Sequence, residues 1–253
     1  DSAHSNYLHS TLDAYYQTDA WKEQGTRSGN LRDKYHARDP HPKFFASDME
    51  YGLMIGARRE TGEEQYYWRI NHFLMPFYTM PPSAPKQKFF HAFVPIDDTH
   101  CARFTFVWNT ESPISNAEKI YWDQGNQLHP EVYPGPEHYP LRNKSNDYLL
   151  DRRDQKTNSF TGLKGIGIQD ASVQEGMGSI VDRSIEHLGS TDVGIIEMRK
   201  KLLREARSLR EGQEPQSAAN GKAYDIRAGD LLLDKDVAWD HNDNITSVMS
   251  TTW

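Results

Sequence analysis

Two histidines five residues apart, His4 and His9, stand at the head of the run Asp1-Ser2-Ala3-His4-Ser5-Asn6-Tyr7-Leu8-His9. Imidazole nitrogens bind transition metals. Two of them with one carboxylate, on a single face of an octahedral iron, leave the opposite face open to dioxygen. On a helix turning ~100° per residue, His4 falls about 60° to one side of Asp1 and His9 about 80° to the other. One face therefore aims both rings at a common point, with Asp1 between them as a supporting partner. The spacing recurs in Asp33-Lys34-Tyr35-His36-Ala37-Arg38-Asp39-Pro40-His41. In that copy His41 is flanked by Pro40 and Pro42, which a helix does not tolerate, and its intervening residues are mostly charged. The first copy has Tyr7, Leu8 and Leu12 to bury. Read alone, His4 and His9 are more often a pair of ordinary helix-surface histidines.

The elements that must carry these residues can be sketched from pattern. Residues 1–16 read as an amphipathic helix. Residues 17–48, polar and broken by Gly25, Gly29, Pro40 and Pro42, read as a long surface excursion. Strand-like runs follow at Tyr51–Ala57, Gln65–Phe77, Lys88–Pro95 and Ala102–Asn109. In the second of them Tyr67, Arg69, Asn71 and Phe73 alternate with Trp68, Ile70, His72 and Leu74, the period of a pleated strand. Residues 110–160 read as loops and short helices. Two helices are expected at Ala171–His187 and Asp192–Leu209, the latter with Ile195, Met198, Leu202 and Leu203 as its apolar stripe. Beyond them only Leu231-Leu232-Leu233 forms an apolar knot. Antiparallel strands followed by long helices predict an α+β, helix-grip-like domain, with helices packed on one sheet face.

Composition narrows the function classes. Of 253 residues, 36% are hydrophobic and 11% aromatic, enough to fill a core. A net charge of -7 argues against nucleic-acid binding. No apolar run approaches the ~20 residues of a membrane helix. The one cysteine, Cys101, excludes an internal disulfide and a cysteine-ligated cluster in these residues, and fits a reducing, cytoplasmic setting. Opening on Asp1 rather than Met reads as a start within a longer protein.

The run Asp1 to His9 resembles the iron-binding helix of Rieske non-haem iron aromatic-ring oxygenases. A second stretch strengthens the likeness. Gly167-Ile168-Gln169-Asp170-Ala171-Ser172-Val173-Gln174-Glu175-Gly176-Met177-Gly178, continuing through Ile180-Val181-Asp182-Arg183 and Glu186-His187-Leu188-Gly189-Ser190-Thr191-Asp192, is similar to the phthalate 4,5-dioxygenase branch. So are Tyr67-Trp68-Arg69-Ile70 and Met75-Pro76-Phe77-Tyr78-Thr79-Met80-Pro81. The resemblance implies a mononuclear Fe(II) held by His4, His9 and Asp170. It also implies a catalytic role for Asp1, bridging to a [2Fe-2S] Rieske cluster. From its own position Asp170 is also a fair helix N-cap, although Ser172 and Glu175 offer a capping box that would release it.

The implied organisation is an iron catalytic domain over residues 1–211 and an extension of the same domain over 212–253, with the N-terminal Rieske domain absent from this chain. The implied partners are an NADH-dependent flavin and iron–sulfur reductase and further copies in a homotrimer or stacked trimer pair. The substrates are dioxygen and an aromatic carboxylate such as phthalate, with O-demethylation of a methoxylated aromatic acid as the alternative. For a carboxylate, a bidentate arginine is the expected anchor. Arg69, turned inward beside Tyr67 and Phe73, and Arg32 are the candidates, while Arg58-Arg59 reads as a solvated pair. Two readings from other classes stand beside this one. A sheet gripping a helix also suits a non-catalytic apolar-ligand binder. His4 and His9 also suit a zinc hydrolase, although no H-E-x-x-H is present.

Overall fold

The computed structural model describes residues 4, 8, 9, 11, 12, 31–83, 87–109 and 111–241. Seven antiparallel strands form one sheet: β1 (Lys43–Met49), β2 (Gly52–Glu60), β3 (Gln65–Leu74), β4 (Tyr78–Met80), β5 (Gln87–Pro95), β6 (Cys101–Asn109) and β7 (Gly229–Asp234). The first six follow one another across the sheet. β3 shares its second edge between two partners. Its C-terminal end pairs with β4, and Gln65–Ile70 pair with β7, from Gln65↔Asp234 to Ile70↔Gly229. The Leu231–Leu233 knot is thus a strand paired with β3.

Helix α1 (Leu31–Arg38) precedes the sheet, α2 (Asn116–Asp123) and α3 (Arg152–Thr157) follow β6, and then come α4 (Ile166–Gly176), α5 (Val193–Arg210) and the short α6 (Gln216–Ala219). The fold is α+β as the pattern predicts, with several boundaries corrected. The expected excursion over residues 17–48 contains α1 and all of β1 but Met49. α1 stops at Arg38, so the second histidine copy is split between helical His36 and His41 beyond it. The expected helix Ala171–His187 starts five residues earlier and ends at Gly176. Gly178 there takes φ +93°, a left-handed backbone that stops a helix, and a single 3₁₀ turn follows at Arg183–Ile185. The expected helix over residues 1–16 lies largely outside the described residues. Within it, the Leu8 amide donates to the His4 carbonyl at 2.7 Å, the spacing of one helical turn.

β3 is buried from Tyr67 to Leu74 because both faces of the sheet are covered. On one face α5 lays Met198 and Leu202 over Leu53, Phe73 and Met75, with Ile55 beside them. Ile195 and Leu203, counted in the same stripe, are exposed instead. Gly194 lets the start of α5 approach Ile55, and Lys201 is buried in an ion pair with Asp48. On the other face Trp239 stacks on Trp68, with ring centres 5.2 Å apart, over Met54, Ile70 and Leu233. Gly56 is required beneath that stack, since a Cβ there would stand 2.7 Å from the Trp239 ring.

Register carries the α5 face sideways across the sheet. Phe73 pairs with Thr79, Thr79 with His91, and His91 with Thr105, while Phe93 pairs with Arg103. Directly paired residues share a face. The surface beneath α5 therefore continues to His91, Thr105 and Arg103.

Candidate metal centre

Asp170 comes to lie beside that surface through the first turn of α4. Gly165 caps the helix with φ +82°, and a Cβ there would stand 2.2 Å from the Gly125 carbonyl oxygen. At Gly167 a Cβ would meet the Leu128 oxygen at 2.4 Å and Arg103 Nη2 at 2.5 Å. Two glycines thus allow the loop at Gly125–Leu128 to press against the start of α4, and Arg103 donates to the Leu128 carbonyl at 2.8 Å. Asp170 is the fifth residue of the helix, not its cap, so its carboxylate is not occupied in capping. Ser172 does not form the expected box either. Its hydroxyl donates back to the Gln169 carbonyl at 2.8 Å.

Three ligand-type atoms converge at this point. His9 Nε2 is 3.2 Å from Asp170 Oδ1 and 3.2 Å from His4 Nε2, and His4 Nε2 is 3.8 Å from Asp170 Oδ1. Donors on one octahedral face, ~2.1 Å from an ion, stand about 3 Å from one another. The set fits a small divalent cation, and it is the one such group of three among the described residues. Desolvation, with His9 next, pushes the His4 imidazolium down to about 4, although half of that ring remains exposed. The neutral imidazole is the form that binds metal. The N-terminal segment is tied in place by the Leu12 amide, which donates to the Asn158 carbonyl at 2.8 Å. Asp1, expected between the histidines, lies outside the described residues.

Several neighbours escape sequence reasoning. His9 Nδ1 meets Gln169 Oε1 at 2.8 Å. His91 Nδ1 meets the Thr105 hydroxyl at 2.9 Å. Desolvation, then the Arg103 guanidinium, pushes its imidazolium down to about 4 against the pull of Asp170. The Phe89-His91-Phe93 alternation was the available signal, but only register shows that this face meets Asp170. An open groove of about 700 Å³, lined by Leu8, Tyr148, Leu149, Thr161, Ser172 and Val173, passes beside the trio without including any of its members.

Arg69 faces inward as expected, on the α5 side and 5% exposed, with Nη2 donating to the Pro82 carbonyl at 2.9 Å. The expected solvated pair Arg58-Arg59 is corrected. β2 runs on to Glu60, so alternation sends the two arginines to opposite faces. Arg58 lies over the Phe45 and Tyr66 rings, whereas Arg59 is fully buried. Desolvation, then Arg69, pushes Arg59 down to about 10, with Arg32 of α1 acting in the same sense and Tyr67 and Asp39 opposing. Arg32 and Arg69, the two predicted anchors, thus both act electrostatically on Arg59.

A family model described as LigXa C-terminal domain like matches residues 1–251. The phthalate 4,5-dioxygenase oxygenase subunit of Pseudomonas putida is 29% identical over 246 residues, 94% of this chain and 54% of that protein. The 3-chlorobenzoate-3,4-dioxygenase oxygenase subunit of Comamonas testosteroni is 29% identical over 214 residues, 79% of this chain and 49% of that protein. The chain spans about half the length of these relatives. No helix among the described residues is long and apolar enough to cross a membrane.

Proposed function

Because the chain belongs to the LigXa C-terminal domain-like family, we propose that it is the mononuclear-iron catalytic unit of an aromatic-ring oxygenase acting on an aromatic carboxylate. The observation that carries this reading is the convergence of His4 Nε2, His9 Nε2 and Asp170 Oδ1 within 3.8 Å of one another. When bound there, Fe(II) supplies dioxygen activation, with electrons delivered from a [2Fe-2S] Rieske cluster reduced by NADH through a separate reductase. Both relatives are named as dioxygenase oxygenase subunits, which favours ring hydroxylation over O-demethylation.

The chain's own residues bind and orient. His4, His9 and Asp170 would hold the ion, which would supply the dioxygen chemistry. Arg69 attracts the carboxylate, with Arg59 and Arg32 adding to the local positive potential. The names of both relatives contain an aromatic acid, phthalate or chlorobenzoate, in keeping with such an anchor. Phe93 and neutral His91, on the face that runs from Arg69 towards Asp170, keep the intervening space poor in water. Asp1 would bridge, by hydrogen bonds, a cluster histidine of a neighbouring copy to His4 or His9 in a homotrimer or stacked trimer pair, shortening the electron path.

The test is metal analysis of two variants. His4→Ala and Asp170→Ala should fall from near-stoichiometric iron to near none, with an unchanged far-ultraviolet circular dichroism spectrum. Full iron occupancy in either variant overturns the assignment.

A further inference from the structure

We propose that Gln169 is the positioning residue that fixes which nitrogen of His9 carries the proton, keeping Nε2 bare toward the metal; this rests on the metal-centre reading above. Gln169 is 9% exposed and sits one residue before Asp170 on α4, so one helical turn supplies both a candidate ligand and the group behind another. Its side-chain amide touches three partners. Nε2 lies 3.0 Å from the Leu163 carbonyl oxygen and 3.3 Å from the Thr161 hydroxyl, and Oε1 lies 2.8 Å from His9 Nδ1.

The logic runs outward from the carbonyl. A backbone carbonyl only accepts, so the amide atom facing Leu163 is the NH2 group, and the amide cannot be flipped. The atom facing His9 is then the amide oxygen, which also only accepts. His9 Nδ1 must carry the hydrogen and donate it. In the neutral ring, which has one N–H, Nε2 then keeps its lone pair. That lone pair is the one 3.2 Å from Asp170 Oδ1 and from His4 Nε2. The tautomer needed for ligation is thereby set before any metal arrives. The amide also joins three separate pieces of chain: the N-terminal segment through His9, the Thr161–Leu163 loop, and α4. The Gly162 amide, donating to the buried Ser159 hydroxyl at 2.9 Å, stiffens that loop.

A merely structural glutamine would be replaceable at the cost of stability alone. A tautomer clamp makes further demands. In metal-free wild-type protein labelled with ¹⁵N-histidine, long-range ¹H–¹⁵N spectra should show His9 protonated at Nδ1. A neutral His9 protonated at Nε2 overturns the proposal without needing any variant. In anaerobic titrations with Fe(II) alone, Gln169→Leu should weaken binding by about 10–100-fold, the usual effect of losing the partner behind a metal-bound histidine. Gln169→Glu, with its buried carboxyl protonated so that it donates to the Leu163 carbonyl, still accepts from Nδ1 and should stay within about threefold of wild type. Unchanged affinity in Gln169→Leu, or an equal loss in folded Gln169→Glu, overturns the clamp. If Gln169→Leu does not fold, the wild-type spectrum and Gln169→Glu decide the matter. His4→Ala serves as the control. If it binds iron like wild type, the metal-centre reading has failed, and the wild-type spectrum still decides the clamp.

Discussion

Among the three convergent side chains, His9 is the most constrained, with Nδ1 engaged and its ring 9% exposed, whereas His4 is 49% exposed. That inequality explains which residues were legible in sequence. His4, His9 and Asp170 could be singled out because metal chemistry restricts both residue type and spacing, and because two separate stretches resemble one family. Gln169, His91 and Arg59 could not, since their roles depend on which way a strand or helix turns. Arg59 misled most, its adjacency to Arg58 and a Thr-Gly turn hiding that β2 extends past both. The substrate reading is tested at the same scale. Arg69→Ala should weaken aromatic carboxylates by roughly 10–100-fold, the loss of a charge-assisted pair, and neutral amide analogues by less than about threefold. Binding titrations with matched acid and amide decide it, and equal losses on both exclude Arg69 as the anchor.

At the level of elements, the strands with clear alternation were legible, β3 above all. β1 was concealed by the polar, proline-broken sequence before it, and β7 by a leucine run with no alternation. α4 was misplaced because Gly165 and Gly167 look like breakers but serve close packing against the Gly125–Leu128 loop. β3 also carries a polar strut. Tyr51 donates its hydroxyl hydrogen to His72 Nδ1 at 2.8 Å, and His72 Nε2–H donates to the Arg227 carbonyl at 3.1 Å, just before β7. Desolvation pushes the His72 imidazolium from 6.5 to about 4, with the Arg227 contact opposing. The unfolded chain therefore takes up a proton below pH ~6.5 that the folded chain refuses until about pH 4. The His72 share of stability should be level above pH ~6.5 and fall by up to roughly 3 kcal/mol by pH 4. Urea unfolding at pH 7, 5.5 and 4.5 measures this. His72→Asn should start less stable at pH 7 and lose less on acidification, and parallel profiles for the two proteins would refute the strut's titration.

For the whole molecule, the net charge argued against a nucleic-acid binder, and the α+β order followed from the succession of strands and helices. What composition also says is that 253 residues with a single cysteine cannot ligate a Rieske cluster. The purified chain should hold a single iron and no acid-labile sulfide, and it should not turn over with NADH and reductase unless a cluster-bearing protein is added. Iron and sulfide assays check this, and stoichiometric sulfide would contradict it. The exposed Phe104 and Phe106 on β6, and Ile180 and Ile185 beyond α4, show that the chain's apolar surface is not all turned inward.

The pairing of β3 with β7 joins residues more than 150 positions apart, such as Arg69 and Asp230. During synthesis, β3 leaves the ribosome long before the strand that seals half of its second edge. Until Gly229–Asp234 arrives, Gln65–Ile70 offers an unpaired, largely apolar ribbon to any passing chain. Closing so distant a pair is intrinsically slow. Chains interrupted between α5 and β7 are therefore the species most exposed to aggregation, and in the cell the yield of this protein will be governed by how quickly its last strand reaches β3.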